Sequence, residues 1–393
     1  MSKIQQLEDQ LTKASDSDTK RSLLDRLEEV LIESEDFHRL FDAKLIRTRL
    51  RMGLPITQPA SLSGIPREQE AEFRDAWMEA ARDVGQRLLD AGKLSDAWAY
   101  FRTIDDPEPI RKAIEAIPIP REQDEAADEL LQLALHEGAH VVRGLEILLQ
   151  THGTCNTVTA VSQLLPQMSQ DERRQTARLM VDRVYEELLY SLQRDIERRQ
   201  PLLDQDAGVA ELIAGKPWLF EEGNYHIDVS HLHSTVSFAR HLTREDPQLE
   251  RAIALCSYGG KLAENLQYPA DVPFDRYYEA NGYFLNALAG HNVDEALAYF
   301  KERMQEESDF TNQRLIAFVM IDLAGRADRI DDVLPDAAPV LAGLEDTNGF
   351  SFTACCVEAS RFDVLESTSR ENDDVLSWAV ARIAKDSDST SSS

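Results

Sequence analysis

The chain has 393 residues, 42% hydrophobic and 29% charged, which is enough apolar material for a sizeable core and excludes wholesale disorder. Asp and Glu number 71 against 42 Lys and Arg, a net charge of −29 that repels phosphate backbones and anionic bilayers, so neither nucleic acid nor membrane is expected as a partner. Four cysteines without a CxxC pair, no apolar run near the roughly 18 residues of a membrane span, and a polar stretch from Met1 to Ala14 make the cytoplasm the expected location.

Helical periodicity runs from the first elements onward. Ile4, Leu7 and Leu11 are heptad-like, Leu23, Leu24, Leu27, Val30 and Leu31 form an amphipathic stripe, and Phe37, Leu40, Phe41 and Leu45 form the next. The basic run Lys44, Arg47, Arg49 and Arg51 reads as the cationic end of a helix starting near Asp36. Residues 1–53 are therefore expected as an N-terminal helical segment. The proline- and glycine-punctuated stretch 54–66 is expected as a loop or linker, and 67–384 as a helical-repeat body.

Two helices joined at Ala91-Gly92-Lys93 open that body, the second running from Leu94 to Ile104. Gly85, Ala97, Phe101 and Pro109 stand at the relative spacings of a tetratricopeptide repeat, which this hairpin resembles. In that arrangement the small residues let two helices approach, the aromatic fills the space beside them, and the proline closes the unit. Gly290, Ala296 and Phe300 repeat part of the pattern. The resemblance covers about a fifth of the chain and implies a groove for peptides or partner proteins.

Further helices are expected over Glu125–Leu135, Val141–Gln150, from Thr154 or Asn156 to Leu165, and over Asp171–Arg199. The last has Ala177, Met180, Val181, Val184, Leu188, Leu192 and Ile196 as its buried stripe. Beyond an irregular segment with Trp218, Leu219 and Phe220, helices are expected from Ser230 to Leu242, over Leu249–Gln267, and over 276–289, 293–305, 309–324, 328–343, 350–361 and 371–384. Residues 385–393 are expected as a disordered tail. No alternating strand is present, so the fold class is all-α, stacked antiparallel helical hairpins without significant sheet.

One motif carries chemistry. His136-Glu137-Gly138-Ala139-His140 fits HExxH, in which two histidines four apart on a helix share a face, reach one Zn²⁺, and leave the glutamate to polarise bound water. Chance yields about 0.04 such matches in this composition, and the pentapeptide resembles the zinc helix of the zincin metallopeptidases. The extended zincin form would place glycine and histidine where Arg143 and Glu146 stand, which leaves Glu146 as the local candidate for a third ligand. The competing reading makes Gly138 an interhelix turn.

His226, Asp228, His231 and His233 form a second cluster suited to a divalent metal. On a helix His231 and His233 project about 200° apart, so His226 and His231 are the candidate pair, with Asp228 available to orient a ring. Ser257-Tyr258-Gly259-Gly260-Lys261 lacks P-loop spacing and reads as a helix junction. Tyr268, Phe274, Tyr277, Tyr278, Tyr283 and Phe284 are candidates to line a peptide groove.

The leading expectation is a non-enzymatic interaction protein for a protein or peptide partner, its acidity favouring basic partners. The alternative is a zinc-dependent hydrolase with His136 and His140 as ligands, Glu137 as general base, and Glu146, His226 or His231 as third ligand. No cofactor is expected, with Zn²⁺ the one candidate.

Overall fold

One helix stop recurs along the chain, at Glu35, Gly53, Gly92, Asp105, Gly290, Asp328 and Ser360. Each of these residues has a positive φ, and its N–H bonds three residues back while the next N–H bonds five back, as in Lys93 N–H to Leu88 O at 2.9 Å. This is the Schellman stop, which satisfies the last carbonyls of a helix and turns the chain into the next one.

A computed structural model describes Ile4 and residues 19–199, 206–344 and 350–391. The expected heptad positions Leu7 and Leu11 and residues 392–393 lie outside the described residues. The fold is all-α, with no β-strand among the described residues. Two compact units divide the chain, 1–153 and 154–393.

The first unit holds α1 (Thr19–Glu33), α2 (Phe37–Arg51), α3 (Glu70–Asp90), α4 (Leu94–Thr103), α5 (Glu108–Ala116) and α6 (Glu125–Leu131), the last continuing as a π-helical turn, Gln132–His136. From α1 to α5 each helix packs on the next, and α3 also touches α5. Ala97 and Phe101 of α4 are fully buried, and a Cβ at Gly85 would stand 3.0 Å from the Phe101 ring. The missing side chain at 85 is what seats that ring. Pro109 does not close the hairpin; it lies in the first turn of α5, where its missing N–H costs nothing.

The basic run at the end of α2 is consumed within this unit. Lys44 pairs with Asp83 (3.0 Å), Arg47 with Asp25 (2.7 Å) and Glu28 (2.8 Å), and Arg51 with Glu72 (3.4 Å). Arg49, only 3% exposed, donates to the carbonyls of Pro55 (2.8 Å), Pro59 (2.9 Å) and Ser61. Stretch 54–66 is a loop strapped inside the first unit. The boundary between the units falls instead at Gly153, inside α7 (Val141–Leu164), where φ 81° and ψ 177° interrupt the helix in a region open to glycine.

In the second unit α8 (Gln170–Arg199) buries the expected stripe from Ala177 to Ile196. Against it pack α9 (Val209–Ile213), α10 (Val229–Phe238), the 3₁₀ turn Ala239–His241 and α11 (Gln248–Gly259). The chain then winds through α12 (Tyr277–Leu288), α13 (Val293–Glu306), α14 (Phe310–Arg326) and α15 (Leu334–Leu341), each on the one before. It ends with α16 (Phe352–Glu358), α17 (Phe362–Glu371) and α18 (Val375–Ser391). Ala296 and Phe300 are buried on α13 after the left-handed turn at Gly290, as in the first hairpin.

Several boundaries differ from expectation. The helix after Leu249 stops at Gly259, a position where a Cβ would stand 2.1 Å from the Tyr278 ring. Ser360 breaks the expected 350–361 helix, and α18 is helical through Ser391, past the point where the tail was expected to begin.

Candidate functional site

The HExxH pentapeptide is a turn. Glu137 N–H reaches five residues back to Gln132 O (2.9 Å), and Gly138 then takes φ 76°. The N–H groups of Ala139 and His140 reach six residues back, to Leu133 O (3.2 Å) and Ala134 O (3.0 Å). The reversal is tight because Gly144 lies against the backbone of Leu135, where a Cβ would meet Leu135 N at 2.8 Å. Trp98 of α4 fastens the turn, its indole N–H donating to Glu137 O (3.3 Å).

His136 is exposed at the end of the π turn, and His140 lies beyond the glycine, so the two are not on one helical face. Both ring nitrogens of His140 are committed. Nδ1 accepts the N–H of Arg143 (3.3 Å), and Nε2 faces the carboxylate of Glu115 (3.0 Å). Glu146 accepts from Arg143 (2.6 Å), whose guanidinium also caps Ile117 O (2.8 Å). The Glu137 backbone, His140 and Glu146 thus help hold an interhelix junction, His136 stands exposed beside it, and the shared-face geometry of a zinc helix is not formed.

The second cluster is also spoken for. Asp228, not Ser230, caps α10, accepting from Ser230 N (2.9 Å) and His231 N (3.3 Å), with its pKa lowered first by the Ser230 hydroxyl. The His226 ring lies against buried Tyr258, Nδ1 to hydroxyl at 3.1 Å, and Nε2 faces Asp195 at 3.3 Å. His231 is half-buried on α10, with its N–H held by the cap and not by His226. His233 stacks on Tyr277 at 3.8 Å between centroids. Among the described residues, no group of three His, Cys, Asp or Glu is arranged to hold a metal ion.

Two cavities of the second unit take up five of the six aromatic residues singled out in the sequence, while Tyr283 stacks on Tyr299 at 4.4 Å between centroids. One, of about 760 Å³, is lined by Tyr268, Tyr277 and Tyr278, with Cys256 and Gly260 of the preceding helix end and Asp275 and Glu279 among its carboxylates. Tyr278 packs against Gly259, and Tyr268 is 47% exposed. Burial raises the pKa values of Tyr277 and Tyr278, so both phenols stay neutral in the physiological range.

No protein-family model, curated protein or solved structure matches this chain.

The other cavity, about 880 Å³, has Phe274 and Phe284 in its wall beside Arg173, Arg174, Arg240 and Arg326. Sequence reasoning misses this group entirely, because its members come from the start of α8, the turn after α10 and the end of α14. No spacing rule joins them.

Proposed function

We propose that this chain is a non-enzymatic helical-hairpin interaction protein of tetratricopeptide-like construction, taking a protein or peptide partner at the tyrosine-lined cavity between α11 and α12. The cavity itself is the observation that carries the reading. Tyr268, Tyr277 and Tyr278 offer large contact area at low entropic cost, and two of the rings are already held by packing. Recurrent Schellman stops and helix-on-next-helix packing support a repeat-like scaffold beneath it. Asp275 and Glu279 on the wall, within a chain of net charge −29, favour a basic peptide. Four free cysteines, none paired, suit a cytoplasmic setting.

The test is selection from a displayed peptide library followed by titration against wild type and Tyr268→Ala. Tyr268 is half exposed, so its truncation leaves the core intact. Selected peptides should be enriched in Lys or Arg, weaken as salt rises, and lose about tenfold or more in affinity on the variant. Peptides that bind Tyr268→Ala as tightly as wild type would remove the cavity from the reading.

A further inference from the structure

Carboxylates outnumber cationic side chains 71 to 42 in this chain, yet some arginines bond no carboxylate, Arg49 and Arg314 among them, each held by backbone carbonyls. Two such arginines face one cavity. Arg173 donates only to backbone, to Leu165 O at 2.9 Å and Pro166 O at 3.1 Å. Arg240 donates to the amide oxygen of Asn281 (3.3 Å) and the hydroxyl of Ser237 (2.6 Å), and lies 4.1 Å over the Phe274 ring. Two of its five N–H donors are thereby used, and burial acts against its charge.

The surrounding parts hold these groups in place. Arg326 donates to Arg240 O (2.8 Å) and Leu242 O, pinning the turn that carries Arg240 and His241, and also meets Asp322 at 3.3 Å. Arg174 is paired with Asp246 (2.8 Å), whose side chain is 2% exposed. Besides these, Asp171 and Asp322 are the carboxylates on the wall. His241 stays neutral, its pKa pushed down to about 4 by burial and then by Arg173, Arg240 and Arg326, and it shares the wall of the cavity with all three. The wall therefore carries four guanidiniums against two carboxylates, with Asp246 behind Arg174.

We propose that this cleft, built on Arg173, Arg240, His241 and Arg326, binds a phosphate monoester of a small soluble molecule. Two guanidiniums without a counter-charge match the charge of roughly −1.5 to −2 on a phosphomonoester. Geometry points the same way. A planar carboxylate is satisfied by one guanidinium, whereas three terminal phosphate oxygens accept donors converging from α8, the 239–241 turn and α14. A volume of about 880 Å³ exceeds a bare ion and leaves room for the esterified body against Val319 and Phe284. This inference is independent of the peptide cavity and survives its failure.

Phenyl phosphate is the probe, titrated into the full chain by calorimetry at constant ionic strength in a phosphate-free buffer. In parallel, the His241 ring ¹⁵N signal, identified by its loss in His241→Gln, is followed in wild type. Saturable binding with a shift of that signal is expected. Arg173→Gln and Arg240→Gln should each lose about tenfold or more in affinity, while Arg314→Gln, at an arginine of α14 bonded to Val340 O, should not. If Arg240→Gln misfolds, Arg173→Gln and the wild-type His241 signal decide alone, since Arg173 is bonded only to surface carbonyls at a helix start. The proposal is overturned by absence of saturable binding, by unchanged affinity in Arg173→Gln, or by succinate binding as tightly as phenyl phosphate. It is equally overturned if phosphatidic acid vesicles bind the protein while phenyl phosphate does not.

Discussion

Gly138→Ala separates the two readings of His136–His140 by sign. In the turn, residue 138 has φ 76°, where a Cβ costs about 1–2 kcal/mol. Nothing lies within 4 Å of the added atom, so no steric penalty is added. A less flexible unfolded chain returns about 0.4–1 kcal/mol, leaving a net loss of about 1 kcal/mol. On a continuous helix, the zinc geometry, the same change would gain about 1 kcal/mol. The difference, about 2 kcal/mol, is readable by hydrogen exchange at the amides of Ala139 and His140, which are bonded across the turn. The turn requires exchange about fivefold faster in the variant. Slower exchange would refute it and return both histidines to one face. Gly144→Ala is the companion, because its Cβ would meet Leu135 Cβ at 2.7 Å and Leu135 N at 2.8 Å. A backbone neighbour cannot step aside, so that variant should lose about 1–3 kcal/mol despite the better helix former.

Gly85→Ala should cost about 1–2 kcal/mol in urea unfolding, since the new Cβ stands 3.0 Å from the buried Phe101 ring; Phe101→Leu should partly rescue it in a double-mutant cycle, and additive effects would deny the contact. Arg49→Met should release the loop 54–66 to limited proteolysis and lower stability by about 2–3 kcal/mol, because three carbonyls lose a charged donor; an uncut loop would show that it is held by something else. The His241 pKa, depressed to about 4, means that the unfolded chain binds the extra proton between about pH 6.5 and 4, so stability falls as pH drops through that window. His241→Gln should flatten that part of the curve, and an imidazole found protonated at pH 6 by NMR would contradict the arginines that share its cavity wall.

The all-α class was legible because it rests on long-range periodicity. Seven apolar positions on α8 from Ala177 to Ile196 could face only a core, and all are buried. The hairpin at Gly92 was legible because glycine sits at its left-handed stop. Most of the other stops were not. Glu35, Asp105, Asp328 and Ser360 occupy the same backbone conformation with side chains that give no such signal, so the recurrence is conformational and nearly absent from the letters. Helix α5 was hidden for a related reason: Pro109 reads as a terminator unless its place in the first turn is known.

The sites divide along the same line. The two histidine clusters were conspicuous because their members are close in sequence, yet local density is also what caps and turns require. Asp228 spends its carboxylate on a helix start, and His140 spends both ring nitrogens on Arg143 and Glu115. The arginine cleft is the opposite case. Arg173 reads as an exposed first-turn residue and Arg326 as a cation suited to its helix C-terminus. Only packing shows that Arg326 braces the Arg240 carbonyl while Arg173 and Arg240 share a cavity without a carboxylate of their own. In a chain so rich in acid, leaving that charge unpaired is a cost to folding that any one of many Asp or Glu residues could have removed. An anion supplied from outside would remove it only when bound, so phosphate binding should also raise the stability of the second unit.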